Sequence, residues 1–264
     1  MSSKPLGDAR ECSAALSRRS LARAAAYFFG SAAAAVGLGA ALALCNPGAV
    51  ATGGLGLAKL LIGWKMDIAQ AAPEWLVIMV NNLACAAVVM FLGPLGCALE
   101  LKMRAKSSWY AALCRGMARR RRTVFRIFDR RLDDLPAGGI REGLTIAVLV
   151  PALTTLANGG LFGAVALASS LSPEIGFVKF VRITAPHGVI ELAAILLAAA
   201  VGFEHAEVLF ARAGNAEQLH RASMGRVSEP AVLRSAVLVA GLLAAAAVIE
   251  GQLIPAFCCN FVWR

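Results

Sequence analysis

Six polar side chains interrupt stretches of this sequence that are otherwise apolar: Asn81, Asn82, Asn158, His187, Glu191 and Glu250. Imidazole, carboxylate and carboxamide groups together can hold a proton, coordinate a cation or hydrogen-bond one helix to another. His187 and Glu191 are four residues apart, which puts them on one face of a helix. Ala194 and Ala198 continue that face, giving a small and polar stripe. Asn82, Gly93 and Gly96 line up likewise at offsets of 11 and 14 residues, and Gly159-x-x-x-Gly163 forms a third stripe. Small residues of this kind, with Gly188 beside His187, let helices approach closely, so these faces are expected to point inward.

The elements that must position them are long and apolar. The chain has 264 residues, of which 59% are hydrophobic and 16% charged, with a mean hydropathy of +0.69. Soluble domains are nearer half apolar and a quarter charged, so an ordinary soluble enzyme, a disordered chain and a disulfide mini-domain are all excluded. About 20 apolar residues suffice to cross a hydrocarbon core. Five blocks meet that length: Ala24–Cys45, Leu76–Leu99, Leu144–Leu171, Pro186–Phe203 and Ala236–Phe257. Alternating strand patterns are missing, which argues against an outer-membrane barrel. The expectation is an all-α, polytopic transmembrane bundle forming a single domain over residues 1–264, with a basic cytoplasmic insertion at 100–143.

Basic residues set the orientation. The N-terminal segment, Glu100–Gly143 and Glu204–Ser235 together carry 21 Lys and Arg, whereas the other side carries 5. Lys and Arg are retained on the cytoplasmic side, so the N-terminus is expected inside and the C-terminus outside the inner membrane. Trp75 and Trp263 fall at outer boundaries, where amphipathic rings prefer to sit. Ser17-Arg18-Arg19-Ser20-Leu21 resembles a twin-arginine export signal, and Ala41-Leu42-Ala43 a cleavage site. The apolar stretch after Arg23 is about 22 residues, however, longer than the 7–15 of a signal region, so the span is kept as an anchor.

The insertion carries 12 basic residues and a net charge of +7. Arg119, Arg120, Arg121, Arg122 and Arg126, with Val124, Phe125, Ile127, Phe128 and Leu132 supplying an apolar side, describe a basic amphipathic helix. Its expected partner is the anionic inner leaflet, each surface cation contributing about 1 kcal/mol. A topology determinant without a ligand is the competing account. Nucleic-acid binding is not expected, because no recognition motif accompanies the charge.

Depth ties the polar residues together. At about 1.5 Å rise per residue, Asn82, Glu191 and Glu250 each lie about 9 Å from the outer end of their spans. Asn158 lies about 21 Å from the inner start of its own span, which reaches the same level. One shared cluster in the outer half is therefore expected. No GxSxG, HExxH, P-loop or usable GxGxxG occurs. One His with two Glu is thin evidence for zinc, so neither catalytic residues, a metal nor a cofactor is assigned. The seven cysteines show no metal spacing; most are expected as packing residues, with a disulfide among Cys45, Cys258 and Cys259 as an open alternative.

Several of these residues stand in a recognisable order. Asn81-Asn82 followed by Phe91-Leu92-Gly93-Pro94-Leu95-Gly96 resembles the second conserved helix of the stage II sporulation protein M family. Asn158-Gly159-Gly160-Leu161-Phe162-Gly163 is similar to that family's NGxxxG element, and Pro186-His187-Gly188-Val189-Ile190-Glu191 to its PHGxxE signature. Ile249-Glu250, with Pro255 beyond, resembles its terminal acidic helix. The resemblance implies an integral membrane protein best known from an envelope-remodelling complex of sporulating bacteria. There the member is thought to hold cell-wall-degrading partners at the membrane, and relatives occur widely in organisms that never sporulate. Two departures are the long Glu100–Gly143 insertion and a glycine pattern thinned to Ala199-Ala200-Val201-Gly202.

Three classes of function follow. The favoured one is a non-catalytic scaffold that recruits other envelope membrane proteins, with homo-oligomerisation as an option. The second is a transporter or channel component in which the Asn/His/Glu cluster binds an ion or proton. The third is an intramembrane enzyme using His187, Glu191 and Glu250.

Overall fold

The computed structural model describes residues 17–53, 56, 73–112, 128–135, 139–173 and 176–261. Within these, regular structure is helical, and no strand occurs. The main elements are α1 (Arg18–Cys45), α2 (Glu74–Ala87), a π-helical turn (Val88–Leu92), α3 (Gly93–Lys106), α4 (Arg131–Asp134), α5 (Gly139–Leu171), α6 (Gly176–Phe210), α7 (Ala216–Val227) and α8 (Pro230–Phe261). Five helices are long and apolar enough to cross a membrane: Arg18–Cys45, Trp75–Lys106, Gly139–Leu171, Gly176–Phe210 and Pro230–Gln252.

Each span extends beyond the apolar block that announces it, and the local chemistry shows why. At the start of α1, the Ser17 hydroxyl accepts from the Ser20 amide at 3.1 Å, so the helix begins before the apolar run does. Pro186 has the look of a helix start, yet α6 runs ten residues further back to Gly176. In a spanning helix neighbouring segments re-satisfy the backbone groups a proline frees, so Pro186 is carried inside. The real boundary is Gly176, whose φ of 66° is a left-handed conformation that costs only glycine little. In the second span Pro94 lacks an N–H and its ring crowds the carbonyl four residues back. The wide turn at Val88–Leu92 absorbs that irregularity without ending the span.

Helix α6 is the centre of the bundle. It packs against α1, α5 and α8, and meets the π-helical turn as well. Its stripe of Ala194, Ala198, Ala199, Ala200, Gly202 and Phe203 is buried because small side chains bring three neighbours close at once. Gly202 matters most here. A Cβ on it would stand 2.6 Å from the Val89 carbonyl oxygen and 2.9 Å from Pro151 Cβ, so the π turn seats directly on this glycine. Helix α5 packs on α1, α6 and α3, while α2 packs on α8 and α7 covers α3. Large exposed apolar side chains, among them Leu38, Leu42, Val80, Leu99 and Val237, face outward, as lipid contact requires.

Candidate functional site at the polar end of α6

Three helices far apart in sequence bring the cluster together. Helix α2 supplies Asn81 and Asn82, α6 supplies His187 and Glu191, and α8 supplies Glu250. The Asn81 carboxamide donates to Asn82 Oδ1 at 3.0 Å, and Asn82 Nδ2 in turn donates to Glu191 Oε1 at 2.6 Å. One ring nitrogen of His187 and one oxygen from each of Glu191 and Glu250 all lie within 4.8 Å of one another. His187 is only 9% exposed, and its Nδ1 is buried without a hydrogen-bond partner. An imidazole and two carboxylates this close could together coordinate a cation or share a proton.

Gly251 helps to set this distance. A Cβ there would come within 2.7 Å of Trp75 Cβ and 3.2 Å of the Trp75 backbone nitrogen. The start of α2 can therefore touch α8 one residue past Glu250, which draws Asn82 and Glu250 toward the same face of α6. The packing role of Gly251 was not visible in the sequence, where it is an isolated glycine beside a glutamate.

Asn158 bonds within its own helix. Its carboxamide donates to the Thr154 carbonyl of its own helix at 2.8 Å. The following residues face α1, where Gly159 lies against Phe28 and Gly163 against Ala32. The NGxxxG element thus carries the α1–α5 contact. Gly93 and Gly96 seat α3 on α5, against Ala147 and Ile146. The Ala147 carbonyl, which Pro151 deprives of its helical donor, is the group that lies on Gly93. Among the described residues, the one atom near a Cβ on Gly188 is Thr184 Cγ2 of its own helix, at 3.0 Å.

The opposite end of the bundle holds an ionic network that spacing in the sequence did not reveal. Arg131 bonds Asp129 at 2.8 Å and Glu207 at 2.6 Å, and Arg23 of α1 reaches both acids at 3.4 Å. Arg23 also donates to the Phe128 carbonyl at 2.7 Å. Ser20 donates to Glu204 at 2.8 Å, and Arg104 bridges Glu100 and Glu142 at 2.6 and 3.3 Å. Burial would raise the Asp129 carboxyl, but hydrogen bonds and charge from Arg131, with Arg23 behind, hold it below the usual range. Arg131 is correspondingly pushed up by the two carboxylates. His205, fully buried, accepts from Arg226 Nε at 3.2 Å.

This network corrects one expectation about the insertion. Phe128 and Leu132, expected on the lipid side of an amphipathic helix, turn into the bundle instead. Phe128 stacks on Tyr27 at 6.4 Å, and Leu132 is buried with Leu101, Leu144, Leu209 and Leu219. The physical reason is the salt bridges of Asp129 and Arg131, which pin that stretch to α1 and α6. Arg119, Arg120, Arg121, Arg122 and Arg126 lie outside the described residues. Cys45, Cys85 and Cys97 are free, and the side chains of Cys258 and Cys259 lie outside the described ones.

A bundle of five membrane-length helices, four of them around the small-residue α6, with a polar cluster among its spans, is a multi-pass membrane protein. Residues 140–255, from α5 through most of α8, match the family described as Stage II sporulation protein M. That match includes Asn158, His187, Glu191 and Glu250, whereas Asn81 and Asn82 precede it. No curated protein and no solved structure matches the chain.

Proposed function

We propose that this protein is a non-catalytic scaffold of the cytoplasmic membrane that holds other envelope membrane proteins through its spanning helices. The observation that carries the reading is the family match over residues 140–255. A helix face that the described residues leave open supports it. Ala26, Gly30, Ala33, Gly37 and Ala41 fall on one side of α1 and are all exposed. Among the described residues, nothing lies within 4 Å of where a Cβ on Gly30 or Gly37 would stand. Helices associate in lipid mainly through close packing at such small residues, so the occupant this face suits is a spanning helix of a partner protein.

Thirteen of the fifteen described Lys and Arg side chains belong to the end of the bundle where α1 starts, and only Lys179 and Arg182 to the other. That asymmetry supports an N-terminus inside and a C-terminus outside, with the basic insertion at 100–143 against the anionic inner leaflet.

Purification of tagged protein in mild detergent, with mass spectrometry of co-purifying chains, tests the reading. Wild type and Gly30→Ala should retain a partner membrane protein, whereas Gly30→Ile with Gly37→Ile should lose it while keeping the same elution volume. Recovery of wild type alone, or only as copies of itself, would overturn the scaffold.

A further inference from the structure

We propose that His187, Glu191 and Glu250 hold a divalent transition-metal cation that clasps α6 to α8, with Asn82 of α2 fixing one ligand. Donor atoms no more than 4.8 Å apart can encircle an ion at about 2.8 Å or less, and zinc bonds to N and O are about 2.0–2.2 Å. Each side chain therefore needs to move by less than about 1 Å to ligate. Placement at i and i+4 already aims His187 and Glu191 from one helix face, as in helical metal sites.

The donor chemistry favours a metal. A divalent ion accepts lone pairs from an imidazole and from carboxylates together, which a proton held on one of them cannot do. An imidazolium–glutamate clasp would show an N–H of His187 donated to a carboxylate. Among the described residues no hydrogen bond reaches His187, although it is more than nine-tenths buried and lies within the cluster. A buried imidazole with an unpartnered Nδ1, one of whose ring nitrogens lies within 4.8 Å of two carboxylate oxygens, is what a site built for a cation presents. The ligand set selects the ion class: imidazole suits zinc, iron and their neighbours, whereas calcium and magnesium prefer oxygen alone.

The outer partners fit the same account. Metal-bound carboxylates are themselves held by hydrogen bonds, and removing such a partner lowers affinity by about 10- to 100-fold. Asn82 makes that bond to Glu191, and Asn81 orients Asn82. The adjacent asparagines of α2 thereby become positioning residues for an ion that they do not touch.

The test uses purified full-length protein, stripped with a chelator and titrated with cobalt(II), then with zinc in competition. Wild type should bind one cobalt per chain, show d–d absorption that zinc abolishes, and gain thermal stability with either ion. His187→Ala, Glu191→Gln and Glu250→Gln should each weaken binding by tenfold or more, and Asn82→Ala by about 10- to 100-fold with all three ligands intact. His220→Ala, at the other end of the bundle, should bind as wild type does. If a ligand variant fails to fold, Asn82→Ala with unchanged elution decides the matter. Cobalt binding no tighter in wild type than in His187→Ala, or unaltered by Asn82→Ala, would overturn the proposal.

Discussion

Replacing Gly159 with alanine should loosen α1 from the bundle. The new Cβ would stand 2.8 Å from the Phe28 carbonyl carbon and closer still to that residue's oxygen and to Ser31 Oγ. Carbon atoms pack best at about 3.5–4.0 Å, so the helices must part by about 1 Å. The obstacle is backbone of α1, which cannot rotate aside as a flexible side chain would. Overpacking of this kind costs about 1–3 kcal/mol, against which alanine returns up to about 1 kcal/mol of helix propensity. The net loss is about 1–2 kcal/mol, or a Tm lower by about 2–8 °C for a chain of this size. Gly30→Ala is the matched control, since nothing among the described residues lies within 4 Å of its Cβ position. Melting both variants in detergent and following the fraction that stays monodisperse measures the difference. The reasoning is refuted if Gly159→Ala melts with or above Gly30→Ala.

Two further outcomes follow from the other end of the bundle and from its orientation. The Asp129 carboxyl has a depressed pKa when folded, so its contribution is present above its unfolded value of about 3.9 and is lost as pH falls through the folded value. Asp129→Asn should therefore be less stable than wild type near neutrality, and the two should converge in acid; parallel melting curves from pH 7 to 3 would contradict this. With cysteine introduced at Ser2 or Arg264 in a background lacking the native cysteines, only the second should react with an impermeant reagent on intact cells. Labelling at both ends would sink the orientation.

The sequence by itself determined the spans and many of the residues that each carries inward. About 20 apolar residues are a bilayer's thickness, and a helix satisfies its own backbone, so both conclusions need nothing beyond neighbours along the chain. The pairing of His187 with Glu191 was legible for the same reason, because a separation of four residues fixes a shared face. Phe128 and Leu132 misled because the stretch read by periodicity alone as a lipid-surface helix is turned inward by ion pairs to Arg23 and Glu207. Those partners lie about a hundred and eighty residues apart on α1 and α6. Tertiary structure decided which inward faces meet. Asn82 reaches Glu191 across 109 residues of sequence, and Glu250 joins them because Gly251 admits Trp75, while Asn158 turns to its own helix and its glycines to α1. Periodicity says that a face points inward, but the rotation and neighbours of each helix are settled by which small residues let which backbones touch.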